Sequence, residues 1–162
     1  MSGADPSTVS GRAAPSTAAP LLAVEGLTTT LAATGASVLD DVSFEVEEGE
    51  TLCVVGESGS GKSMLALAIM GLLPPAIRIA RGAIRVRGED LARLSPAEWR
   101  ARRGRDLAMI FQEPMTALNP VMRAGMQVAE VLRKRRGMAD EAARAEALRL
   151  FERVGIANAR AR

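Results

Sequence analysis

The segment Gly56-Glu57-Ser58-Gly59-Ser60-Gly61-Lys62-Ser63 constrains this chain more than any other. It satisfies G-x-x-x-x-G-K-[ST] at every fixed position and stands between a short β-branched run, Thr51 to Val55, and a helix-forming stretch, Ser63 to Leu73. Strand, glycine loop and helix in that order form a phosphate cradle. The glycines let the backbone curl until successive N–H groups converge on phosphate oxygens, and the helix directs the positive end of its dipole at the same point. Lys62 adds a full charge suited to the β- and γ-phosphates, and Ser63 a hydroxyl of the hardness and reach that Mg²⁺ takes. The pattern implies a bound nucleoside triphosphate with Mg²⁺. Kinase, GTPase and transporter ATPase all remain open.

The rest of the chain reads as a series of short elements. Leu21 to Thr30 and Val38 to Val46 are expected strands, the second alternating Val42, Phe44 and Val46 with Ser43, Glu45 and Glu47, and Thr34-Gly35-Ala36 is the turn between them. Glu48-Gly49-Glu50 breaks that pattern ahead of Thr51 to Val55, whose apolar character suits a strand buried on both faces of a parallel sheet. Pro74-Pro75 ends the helix after the glycine loop. Ala83 to Arg87 and Leu107 to Phe111 are two further expected strands. Ser95-Pro96-Ala97-Glu98 spells a helix start, with a capping hydroxyl, proline in the first turn and a glutamate to reach back. Met122, Met126, Ala129 and Leu132 share one helical face, as do Ala147, Leu148, Phe151 and Val154, with Gly137 and Gly155 as terminators.

A second motif, Met109-Ile110-Phe111-Gln112-Glu113-Pro114-Met115-Thr116-Ala117-Leu118-Asn119-Pro120, is an apolar run entering a polar loop with two prolines. The amide oxygen of a glutamine at a strand end can coordinate Mg²⁺, a weak signal by itself. Combined with the phosphate loop, it resembles the Q-loop of ABC ATPases, and its wording is similar to the oligopeptide, dipeptide and nickel importer branch. Leu39-Asp40-Asp41-Val42-Ser43-Phe44 with Gly49-Glu50, and Ile69-Met70-Gly71-Leu72-Leu73-Pro74, resemble the same branch.

That resemblance implies an α/β P-loop NTPase fold of ABC ATPase type, with an N-terminal antiparallel β portion and the start of a helical subdomain. It implies that Gly56, Glu57, Ser58, Gly59, Ser60, Gly61, Lys62 and Ser63 hold the phosphates of ATP. Gln112, with Ser63, would serve the Mg²⁺, sensing the γ-phosphate through the metal and water, while Glu113 to Pro120 would lie near a coupling helix of a membrane-spanning permease subunit. The implied partners are permease subunits and a second ATP-binding subunit, and the implied place is the cytoplasmic face of the membrane. Implied cargo is peptide or a related solute. Two departures stand out. The position where the family stacks an aromatic residue on adenine is Leu31, in a chain without tyrosine. The L-S-G-G-Q signature, the Asp-Glu strand and the switch histidine are not found, so the chain is expected to be an N-terminal fragment that turns ATP over poorly. A nucleotide-binding fragment without turnover, or another P-loop enzyme such as a kinase, is the alternative reading.

Composition sets the remaining bounds. With 48% hydrophobic and 25% charged residues over 162 positions, residues 21–162 suit one globular domain, whereas the Ser/Thr/Ala/Pro-rich residues 1–20 are expected to be a disordered tail. No signal peptide is expected in that tail. A formal charge of +2 gives no reason to expect a nucleic-acid partner, and the aromatics Phe44, Trp99, Phe111 and Phe151 do not interleave with basic residues. They are expected in cores, with the methionines. One cysteine, Cys53, excludes an internal disulfide and reads as a small buried hydrophobe; the absence of histidine leaves no Cys/His zinc cluster. Arg133-Lys134-Arg135-Arg136 ends an expected helix, where the dipole favours cations, so it reads as a solvated helix end.

Overall fold

A computed structural model describes residues 19–112 and 118–156. The chain divides into two compact units at Leu94/Ser95. The expected tail lies almost wholly outside the described residues, as do Glu113 to Ala117 of the second motif.

The first unit is built on strands β1 (Leu22–Leu31), β2 (Ser37–Val46), β3 (Ile77–Val86) and β4 (Glu89–Asp90), with helix α1 (Lys62–Ile69) between β2 and β3. The four strands form one antiparallel sheet in the order β2-β1-β3-β4. β1 lies between β2 and β3 and is the most buried strand: Ala23, Val24 and Leu27 are buried, together with Thr28 and Thr29. Val24 pairs with Phe44 on one side and Ile84 on the other, so a single register brings three apolar residues together across the sheet.

That register breaks midway. Asp40 and Asp41 of β2 are both exposed, Asp41 has φ 52°, and apolar positions resume three residues after Leu39 at Val42. A strand with period two could not keep Leu39 and Val42 on one face without an extra residue, and the bulge supplies it. β1 shifts at the same level at Gly26, whose N–H donates to Ser43 Oγ at 2.8 Å, and β3 at Gly82. Thr28 Oγ1 accepts from Asp41 N at 3.1 Å and Arg81 Nε at 2.9 Å, tying all three strands at the irregularity.

The second unit contains helices α2 (Pro96–Arg102), α3 (Ala124–Arg136) and α4 (Asp140–Arg153). Ser95 caps α2 with both halves of the capping box: Ser95 Oγ accepts from Glu98 N, and Glu98 Oε2 accepts from Ser95 N. Gly137 ends α3 at φ 65°, and a three-residue connection returns the chain as α4. The two helices bury Ala129 and Leu132 against Ala143 and Ala147. Three of these four are alanines, so the helices can approach closely.

Several expectations are corrected. Thr51 to Val55 and Leu107 to Phe111 form no strand, and Val55 and Ile110 are 89% and 94% exposed. A strand exists only with hydrogen-bonded neighbours, and none of the described residues pairs with Thr51 to Val55 in a sheet, while Leu107 makes one isolated bridge to Arg103. Cys53 is consequently exposed rather than buried. Helix α1 stops at Ile69, with Gly71 at φ 61° just beyond, instead of running to Leu73. Met126 and Val154 are exposed, since Ala129 and Leu132 already fill the α3 seam and Val154 lies past the end of α4. Phe111 is also exposed, whereas Phe151 is buried on α4.

Candidate phosphate site

The residues between Gly56 and Ser63 are brought together by a turn at Ser58-Gly59 and by the start of α1 at Lys62. Gly61 precedes the helix at φ 90°. A side chain there would be strained, and its Cβ would lie 2.7 Å from Leu39 Cδ2 and 3.2 Å from the Val38 carbonyl oxygen. Glycine is thus what allows the helix start to lie against β2, where Leu65 and Ala68 bury the inner side of α1. No side chain caps this end, and the N–H groups of a first helical turn have no intrahelical acceptor. They remain able to meet an anion.

Lys62 folds back over the loop. Its ammonium group donates to the carbonyl oxygens of Gly56 at 2.8 Å and Glu57 at 2.6 Å, and to Ser60 Oγ at 3.2 Å. A Cβ on Gly56 would lie 2.7 Å from Ser60 Oγ and 3.9 Å from Lys62 Nζ, so only glycine lets the backbone pack this closely against the hydroxyl. Those groups suit a phosphate: a cation, hydroxyls and the N–H groups of the first helical turn, with no carboxylate among the lysine's hydrogen-bond acceptors. Glu57 contributes its carbonyl to that set. Ser63 is exposed at the second position of α1, where its hydroxyl can serve a divalent cation. Gln112 is exposed in the second unit.

The end of the second motif has a structure that the sequence reading missed. Asn119-Pro120-Val121-Met122 closes a turn, with Met122 N donating to the Asn119 carbonyl at 3.2 Å and Val121 N to Asn119 Oδ1 at 3.1 Å. Gln127, in the first turn of α3, accepts from Asn119 N at 2.9 Å and donates to the carbonyls of Asn119 at 2.9 Å and Met122 at 3.0 Å. Asn-Pro is a legible turn signal. Nothing local marks Gln127 as its partner.

The basic run at the end of α3 is not a free cationic patch. Arg133 pairs with Asp140, Lys134 with Glu130, and Arg135 donates to the Arg100 carbonyl at 2.6 Å while its side chain passes over Gly104. Arg133 is the main cause that holds the Asp140 carboxyl below its usual range, and Lys134 does the same for Glu130.

Residues 39–162 match the family described as ABC transporter, most of the chain. The chain belongs to the ABC transporter family. It is similar to the uncharacterized ABC transporter ATP-binding protein YejF of Escherichia coli, 49% identical over 86% of this chain and 27% of YejF. The dipeptide transport ATP-binding protein DppD of Bacillus subtilis is 45% identical over 84% of this chain and 42% of its own length. The oligopeptide transport ATP-binding protein OppD of the same organism is 50% identical over 71% and 32%. This ABC transporter chain thus spans less than half the length of these curated relatives, and the names of DppD and OppD bear out the resemblance to the peptide-import branch. A dimeric structure of the ATP-binding cassette MJ0796, in a post-hydrolysis state bound to ADP and Pi, matches with TM-score 0.65 over 81% of this chain and 56% of its own, at 24% identity. The fold is that of part of an ABC ATPase domain, and the family decides against a small-molecule kinase. Among the described residues, no helix is long and apolar enough to cross a membrane.

Proposed function

We propose that this chain supplies the ATP-phosphate-binding part of an ABC importer subunit, which couples ATP binding and hydrolysis to uptake of peptides or a related solute. The observation that carries this reading is the Lys62 ammonium held inside a glycine loop at the open N-terminus of α1. A γ-phosphate entering the loop offers Lys62 a charged acceptor in place of neutral carbonyls, and charge-assisted hydrogen bonds are the stronger kind. Gly56 to Ser63 hold the phosphates, with first-turn N–H groups of α1 and Ser60 Oγ as further donors. Ser63 and Gln112 are the residues that would hold Mg²⁺, which would supply positive charge against that of the phosphates. Gln112 then reports the γ-phosphate to the loop that ends at Pro120.

We propose permease subunits as partners, in keeping with relatives named as transport ATP-binding proteins, and a second ATP-binding subunit, in keeping with the dimeric ATP-binding cassette MJ0796, with the chain peripheral at the cytoplasmic face of the membrane. Calorimetric titration of the chain with Mg-ATP tests the central claim. Saturable binding that is weakened about tenfold or more in Lys62→Ala supports it, and absence of binding to the folded wild-type chain overturns it.

Turnover by these 162 residues alone is proposed to be slow. Hydrolysis needs an oriented water and stabilised charge on the transferred phosphoryl group, and Lys62, Ser63 and Gln112 supply holding and sensing only. Glu113 belongs to a different motif position and is not assigned as general base. Phosphate release at the rate of a complete transporter ATPase, abolished by Lys62→Ala, would refute this.

A further inference from the structure

We infer that Gln127 is a positioning residue for the loop that follows Gln112, holding its exit turn in one preformed conformation. The inference rests on the proposed role of that loop and adds a residue that no motif contains. Gln127 uses both ends of its amide on the turn: Oε1 accepts from Asn119 N, while Nε2 donates to the carbonyls of Asn119 and Met122. A side chain thereby pairs with both backbone groups of Asn119, as a neighbouring strand would. It anchors them to α3, whose Ala129 and Leu132 are fixed in the helical core. The turn it closes carries Leu118 and Val121 outward, both exposed. An exposed apolar turn without such an anchor would sample many conformations, and whatever it presses against would first have to order it. With the anchor, displacement of the loop moves the first turn of α3 with it, which is what a coupling element requires.

The chemistry needs an amide specifically. Glutamate would keep the acceptor but set a carboxylate against two carbonyl oxygens, and methionine would keep the volume without either hydrogen bond.

Amide hydrogen exchange of the full chain, read residue by residue by NMR without nucleotide, tests the inference. In Gln127→Met, protection of the Asn119 and Met122 amides is expected to fall about fivefold or more, with Ala129 to Phe151 unchanged. Gln127→Glu is expected to lose the same protection at neutral pH and to regain part of it below its own carboxyl pKa, where the protonated acid again donates to one carbonyl. Unchanged protection of the turn in Gln127→Met would overturn the inference. So would an equal loss across α3 and α4, or a Gln127→Glu profile indifferent to pH. Because no nucleotide is present, these results stand apart from Mg-ATP titration, which tests the function itself.

Discussion

The ammonium group of Lys62 lies 2.6 Å from the carbonyl oxygen of Glu57, so without nucleotide the loop's own backbone engages the charge proposed to meet a phosphate. Binding then exchanges neutral acceptors for anionic ones. Removing the ammonium in Lys62→Ala should weaken Mg-ATP affinity by roughly 1.5–3 kcal/mol, or about tenfold to a hundredfold. Calorimetry checks this, and an unchanged affinity would sink the assignment of the loop.

Leu31 offers a second test of the nucleotide reading. It stands at the exposed end of β1, paired with Ile77, where the family resemblance places an aromatic contact to adenine. Leucine packs but has no face to stack. Leu31→Tyr should therefore tighten Mg-ATP binding by about fivefold or more while leaving inorganic triphosphate unaffected, since only ATP carries a base. Equal gains for both ligands would show that the substitution acts on something other than the base.

The phosphate loop, the Ser95 capping box and the Gly137 terminator were legible because each is a local device whose chemistry is written within a few consecutive residues. Thr51 to Val55 misled for the opposite reason. Its β-branched residues state a preference for extended backbone, but hydrogen-bonding partners make a strand, and none of the described residues provides them. The sheet bulge was hidden in the same way: Gly26, Asp41 and Gly82 meet only through the register of three strands. Gln127 reaches back eight residues in sequence to Asn119, beyond the range of any capping or turn rule. Local devices were readable in this way, and the long-range contacts were not.

At Gly82 the backbone is left-handed, φ 91°, and an added Cβ would lie 2.6 Å from Glu25 O, Gly26 O and Leu27 Cα. All three are backbone atoms of the central strand and cannot swing aside. Gly82→Ala should cost about 3 kcal/mol or more of stability, whereas Gly88→Ala, with φ 81° and nothing within 4 Å, should cost only about 1 kcal/mol. Urea unfolding of the two variants decides the point. Similar losses would mean that β1 and β3 do not approach as closely as described.

Asp106 supplies a prediction in pH. Its Oδ2 accepts from Arg105 Nη2 and Arg102 Nη1, both at 2.9 Å, and its Oδ1 accepts from Arg105 Nε at 2.9 Å. Hydrogen bonding from Arg105 is the largest cause; burial opposes it, and the Arg102 hydrogen bond and the charges of both arginines add to it, so the carboxyl falls from its ordinary 3.8 to about 2. A carboxyl more acidic in the folded chain than in the unfolded one binds fewer protons when folded, so stability rises with pH across that interval. The contribution is fully present above pH 3.8 and is lost as pH falls through about 2. Asp106→Asn keeps the shape but cannot ionise. It should be less stable than the wild-type chain at neutral pH by on the order of 1 kcal/mol, the pair being partly exposed, and the difference should close between those two pH values. Carbon-13 titration of the Asp106 carboxyl in the folded chain gives the direct reading. A midpoint at or above its ordinary value, with a stability difference indifferent to acid, would show that Arg102 and Arg105 do not hold the carboxylate in solution.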